Sequence, residues 1–175
     1  MNAPTAKLTV LVGERFACVK VVGRANFNAA VDFKNALAGL EQRGFSYLVI
    51  ELSECPLMDS TFLGVLAASA LRHCPEAPRA AIGVVEIRNA NERLLELLEN
   101  LGVLHLFKTC NDALPDCKPE ARHPTECSRA ELTEASLEAH RTLAAINPEN
   151  AARFKDVTQF LTEDLARLKK SPAAN

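Results

Sequence analysis

The residues with the most chemistry to offer fall in two places. Asp59, Ser60 and Thr61 stand side by side where an apolar run gives way to a helical repeat. A hydroxyl at a helix start can satisfy an orphan backbone N–H, which is worth about 1 kcal/mol. It can also accept a phosphoryl group. A phosphate on Ser60 would meet outward-facing N–H groups and the positive helix end, yet would also face Glu51, Glu54 and Asp59. Modification there is accommodated while changing the local charge sharply. The second place is Cys110, Cys117, His123 and Cys127, residue types that suit zinc, separated by seven, six and four positions. No tight Cys-x-x-Cys pair is among them, so the expectation is three free thiols and a solvated histidine rather than a metal site.

Conventional catalytic patterns are missing. The four histidines, His73, His105, His123 and His140, lie beside no nucleophile motif, and Gly-x-Ser-x-Gly, a Gly-rich phosphate loop and His-Glu-x-x-His are all absent. No catalytic residue, metal or cofactor is expected, and the chain reads as a non-enzyme. Twenty basic against 22 acidic side chains leave a net charge of -2, which gives no long-range attraction to nucleic acid or an anionic membrane. No stretch approaches the roughly 20 apolar residues that span a bilayer, and the N-terminus lacks the cationic-then-apolar order of an export signal. Six scattered cysteines fit a reducing cytoplasm.

A hydrophobic content of 48% is enough to build the core that must position these residues. Alternating apolar residues over 8–12 and 16–22, with Gly13-Glu14 between, predict a β-hairpin. Phe27, Ala30, Val31, Leu37 and Leu40 recur at helical spacing up to Gly44. Residues 47–52 form a nearly continuous apolar run, the mark of a central strand. A second helix begins near Ser60, with Leu63, Leu66, Ala67, Ala70, Leu71 and Cys74 on one face and Pro75 and Pro78 closing it. Residues 80–85 repeat the buried-strand pattern. Leu94, Leu95, Leu97, Leu98 and Leu101 mark a third helix ended by Gly102, and 107–110 a last short strand. This order predicts an α/β or α+β layer structure, a mixed sheet of about five strands packed against helices, over residues 1–110.

Composition then changes. Pro115, Pro119 and Pro124 lie close together among charged residues, so 111–127 reads as a linker. In 128–170, Leu132, Ala135, Ala139, Leu143 and Ile146 mark one helix. Phe154, Val157, Leu161, Leu165 and Leu168 mark another on near-heptad spacing. Asn147-Pro148-Glu149 between them supplies a cap residue, a proline for the first helical position and an acid for the first turn. Such a helical hairpin cannot bury both apolar faces alone, so it must pack on its own domain or on a second copy. The expectation leans to a homodimer through it.

The stretch Glu51-Leu52-Ser53-Glu54-Cys55-Pro56-Leu57-Met58-Asp59-Ser60-Thr61, followed by Leu63-Gly64-Val65-Leu66, resembles the signature of the sulfate-transporter and anti-sigma-factor-antagonist (STAS) domain. There an apolar strand leads into Asp-Ser-Ser/Thr-Gly-Leu-Gly-x-Leu. The resemblance covers the element order from residue 8 to about 110, including Glu96-Leu97-Leu98-Glu99-Asn100-Leu101-Gly102, which is similar to the family's third helix and its closing glycine. It implies a STAS-like fold with an added C-terminal helical hairpin, and a bacterial regulatory protein that docks on a serine-kinase anti-sigma factor. On that reading Ser60 is the phosphoacceptor, with Thr61 the second choice. Asp59, Ser60, Thr61, Phe62, Val65 and Ser69 form the partner-binding surface. The alternative is a STAS subunit of a lipid-transport ATP-binding-cassette complex, without a phospho-switch. Two departures stand out: Phe62 replaces the usual glycine, and Gly23 is followed by Arg24, Ala25 and Asn26 where the family often has an acidic residue three positions on.

Overall fold

The structure is a computed structural model that describes residues 5–73 and 84–171. Strands β1 (Lys7–Gly13) and β2 (Ala17–Val22) form the expected hairpin, closed by the Gly13 N–H donating to the Phe16 carbonyl at 2.9 Å. Three crossovers follow. Helix α1 (Phe27–Gln42) leads to β3 (Tyr47–Glu51), α2 (Ser60–His73) to β4 (Val84–Arg88), and α3 (Glu92–Asn100) with a 3-10 turn at Leu104–Leu106 to β5 (Lys108–Cys110). Strands β2 to β5 are parallel, as helical crossovers require. Gly44 ends the first helical region with φ +89°, a left-handed conformation that favours glycine. The proposed end of α2 at Cys74, Pro75 and Pro78, and the first part of the strand expected over 80–85, lie outside the described residues.

The sheet has six strands in the order β5-β4-β3-β2-β1-β6, not about five. The sixth, β6 (Cys117–Glu120), comes from the segment read as a linker and pairs antiparallel with β1. Its proline made it look irregular. At a sheet edge, however, a proline's missing N–H costs no ladder bond, and Pro119 sits on this edge strand opposite Leu11. The rest of the segment is tied down as well. Arg43 forms a two-pronged contact with Glu120, at 2.8 and 2.9 Å, and Arg122 grips Asp32 of α1. The Thr125 N–H donates to the same Asp32 carboxylate at 2.8 Å.

One face of the sheet carries the helices. Leu8, Val10, Val19, Val21, Leu48, Ile50, Val85 and Ile87 alternate toward it and form a single core with Phe33, Leu37, Leu63, Leu66 and Leu94. The opposite face holds a polar group instead. Glu86, fully buried, accepts from the Tyr47 hydroxyl and from Arg88 Nε at 2.7 Å, while Arg88 also donates to the Ala113 carbonyl at 2.6 Å. Burial pushes the Glu86 carboxyl up, but the bonds from Tyr47 and Arg88 outweigh it and hold the group below its ordinary range.

The C-terminal segment forms α4 (Arg129–Ile146), α5 (Pro148–Arg153) and α6 (Lys155–Lys170). Ser128 and Glu131 cap α4 reciprocally, and the Asn147 side chain accepts from the Glu149 N–H with Pro148 at the first helical position, as expected. α4 lies across α2 and α1 of its own chain and carries α6 on its other side. Ala135, Leu137, Ala139 and Leu143 are buried by these contacts. The apolar face of α4 is therefore covered within one chain, while Val157 and Phe160 of α6 stay exposed. Among the described residues no helix is long and apolar enough to cross a membrane.

Candidate functional site

The site is built where β3 ends and α2 begins. After Leu52 the chain makes a loop that is pinned to the segment following β2. Gly23 N–H donates to the Glu54 carbonyl, Ala25 N–H to that of Leu57, and Asp59 N–H to that of Ala25, each at 2.9 Å. Both helix starts are thereby held together, and a single carboxylate caps them. Asp59 accepts from the Phe62 N–H at 2.9 Å and from the Phe27 N–H at 2.7 Å. Asn26, which precedes α1, makes no capping bond of its own. Burial raises the Asp59 carboxyl above its ordinary value, against the lowering pull of these N–H bonds.

Because Asp59 does the capping, the two hydroxyls are free for other partners. Both find them on α4. The His140 ring places Nδ1 2.7 Å from the Ser136 carbonyl oxygen, which can only accept, so Nδ1 carries a proton. In the neutral ring Nε2 is then the acceptor, and the Ser60 hydroxyl donates to it across 2.9 Å. One turn back along α4, the Ser136 hydroxyl bonds that of Thr61 at 2.8 Å. The ring of His140 also meets Phe154 edge-on, with centroids 4.9 Å apart.

The close crossing depends on small residues. A Cβ placed on Gly64 would stand 2.6 Å from both the Cβ and the carbonyl oxygen of Ala139, so only glycine lets the two backbones approach this far. Gly64 belongs to the STAS-like motif, whereas Ala139, Ser136 and His140 belong to the added hairpin. In the sequence Ala139 stood in an apolar stripe and His140 was one of four histidines beside no nucleophile motif. A face made of Ala135, Ser136, Ala139 and His140 is small enough for a close crossing, but nothing in it names the helix that it meets.

Not all the expected surface residues are on a surface. Phe62 is fully buried and stacks on Phe33 of α1, ring centroids 4.2 Å apart and 15° from parallel. Ser69 is fully buried and donates to Glu41 at 3.1 Å, and Val65 is buried beneath α4. As placed, these three do not form a docking patch. Their burial follows from α2 having neighbours on two flanks, α1 and α4. Asp59 and Ser60 are half-buried and Thr61 is buried, and the two hydroxyls face the hairpin. Cys110, Cys117, His123 and Cys127 are not gathered, and no group of three metal-binding side chains occurs among the described residues.

The family follows from comparison with known proteins. The model of the STAS domain matches residues 7–113, and the chain belongs to that family. Among solved structures, a candidate anti-sigma factor antagonist from Thermotoga maritima is 16% identical with a TM-score of 0.51, over 60% of this chain and 86% of its own. An anti-sigma factor antagonist from Mycobacterium paratuberculosis is 21% identical with a TM-score of 0.49, over 63% and 90%. Unphosphorylated SpoIIAA, also an anti-sigma factor antagonist, is 13% identical with a TM-score of 0.47, over 63% and 90%. No match was found among curated protein sequences. At these identities the likeness is one of fold, and α4 to α6 lie beyond the matched family region.

Proposed function

We propose that the chain is a regulatory, partner-binding protein of the anti-sigma-factor-antagonist type. A serine-kinase anti-sigma factor or related regulator engages the start of α2, and Ser60 is the phosphoacceptor. The hairpin α4 to α6 acts as a cover in cis that must move before either event. The observation that carries this reading is that Ser60 stands on the first turn of α2, relieved of capping by Asp59, with its hydroxyl held by His140 of the added element.

The chemistry of a switch follows from that arrangement. A phosphate on Ser60 brings nearly two negative charges beside Asp59 and occupies the space in which His140 sits. Phosphate and cover compete for one place, so each state excludes the other. A covered Ser60 is shielded from a kinase, and a phosphorylated Ser60 keeps the cover off.

Phosphopeptide mapping of the full chain recovered from its own cells tests the proposal. The expected result is a phosphate on Ser60, absent in Ser60→Ala and enriched in Gly64→Leu, where the crossing with α4 is forced open. Phosphate at other positions, or none in either chain, overturns the switch. Stoichiometric recovery with an ATP-binding-cassette subunit and no phosphate would favour the transport-subunit alternative.

A further inference from the structure

Beside the Ser60–His140 contact, the cover does not close completely on the core. A groove of about 730 Å³ runs between the start of α2 and the inner sides of α4 and α6. Its size falls within the range of small-molecule sites. Leu132, Phe154 and Leu161 line it, together with Phe27, Val157 and Phe160. The last three are 48%, 42% and 58% exposed and are three of the four large hydrophobic side chains exposed among the described residues. Gathered in one concavity, these side chains offer an apolar body a continuous lining that scattered surface residues would not.

The polar groups around the groove narrow the class of ligand. Both ring nitrogens of His140 are engaged, and Thr133 donates to the Arg129 carbonyl at 2.9 Å. Three carboxylates, Asp59, Asp156 and Asp164, line the walls against one guanidinium, Arg129. Arg129 is already turned to Asp164 at 3.4 Å. Asp156, in the first turn of α6, has no hydrogen-bond or ion-pair partner among the described residues. Among the described residues an anionic ligand would meet more carboxylates than cations, both nearby guanidiniums, Arg129 and Arg167, being turned to Asp164. An organic cation finds the opposite: three phenyl rings, Phe27, Phe154 and Phe160, for its apolar body and charge, and an unpaired carboxylate at the rim.

We infer that this groove is a binding site for a small amphiphilic organic cation, an apolar or aromatic body bearing one positive charge. Its walls come from both the core and the hairpin, so an occupant bridges the two and stabilises the covered form by mass action. The inference rests on the packing of the hairpin and stands whether or not Ser60 is ever phosphorylated.

Three probes with one body and different heads test it on the unmodified full chain: 4-phenylbutylamine, 4-phenylbutan-1-ol and 4-phenylbutyrate, each followed by two-dimensional NMR. The expected result is saturable binding of the amine, about tenfold tighter than the carboxylate, with the alcohol between. Asp156→Asn should narrow the gap between amine and alcohol, and Phe160→Ser should weaken all three. Both positions are exposed, so the variants keep the fold. No saturable binding at millimolar concentration, a carboxylate that binds as tightly as the amine, or affinities unmoved by Phe160→Ser would each overturn the assignment.

Discussion

Helix α2 has two long sides, and they are made differently. Toward α1 and the sheet it presents Phe62, Leu63 and Leu66, all fully buried, with Phe62 stacked on Phe33. Toward α4 it presents Ser60, Thr61 and Gly64, which meet His140, Ser136 and Ala139. The inner side is held by large apolar area with nothing in water to replace it. The outer side buries less: beside Val65, Ala139 and Leu143 it relies on small residues and hydrogen bonds, which water or a partner protein can replace. A helix built in this way can lose one neighbour and keep the other. That asymmetry is what a removable cover over Ser60 requires.

The largest effect should come from the inner side. Phe62→Gly restores the residue usual in the family, yet here it empties a filled site beneath α1. Removing a buried aromatic ring costs about 3–5 kcal/mol, and a glycine inside a helix adds about 1 kcal/mol. Chemical denaturation should show a loss of that order. A loss below about 1 kcal/mol, within the range of surface substitutions, would show that Phe62 is not a core residue.

Gly64→Leu should act on the outer side. The new side chain has no room against Ala139, and overpacking of this kind costs about 1–3 kcal/mol, only partly offset by better helix propensity. The damage should be local. Hydrogen exchange is expected to rise in α4 to α6 while β2, β3 and β4 keep their protection. Equal loss of protection in sheet and hairpin would mean that the two sides of α2 are not separable.

This asymmetry was only half legible in the sequence. The strands, the crossovers and the hairpin follow from local periodicity, which depends on neighbours a few residues apart. Strand β6 was hidden because prolines argue against a strand until the strand is known to be at an edge. The pairing of Ser60 with His140 joins positions 80 residues apart on two separately amphipathic helices, and no local pattern specifies which helix covers which. The same gap misplaced Phe62, Val65 and Ser69, since their burial is decided by α1 and α4 together. The Asp-Ser-Thr motif itself was plain, because family resemblance marks residues by type and order without needing to know what lies on top of them.

An acid titration should weaken the strap that leads into the cover. Asp32 on α1 holds Arg122 and the Thr125 N–H just ahead of α4. Burial alone would raise its carboxyl, but these bonds win and hold it below the ordinary 3.8. A carboxyl lowered by folding contributes stability that is present above pH 3.8 and is lost as pH falls through its folded value. Asp59 has the opposite sign: its raised carboxyl contributes most below that pH, and the contribution fades as pH rises through its folded value. Asp32→Asn should therefore flatten the acid limb of the stability profile, read as exchange protection near residues 121–125. An unchanged limb would assign acid sensitivity to other carboxylates, with Glu86 next in line.

The smallest effect is the most specific to the cover. A neutral side-chain hydrogen bond contributes about 0.5–1.5 kcal/mol, and Ser60→Ala should cost about that much, since the groove gives water access to the Nε2 left behind. His140→Ala should cost more, because it also removes the bond to the Ser136 carbonyl and the contact with Phe154. Neither single value isolates the link across the seam, but a double-mutant cycle does. A coupling of about 1 kcal/mol between positions 60 and 140 would show that the hydroxyl is held by the imidazole in solution. The same cycle run on Ser60 with Phe33, which lies on the inner side, should give a coupling near zero. Equal couplings would mean that Ser60 belongs to the core and not to the removable side of α2.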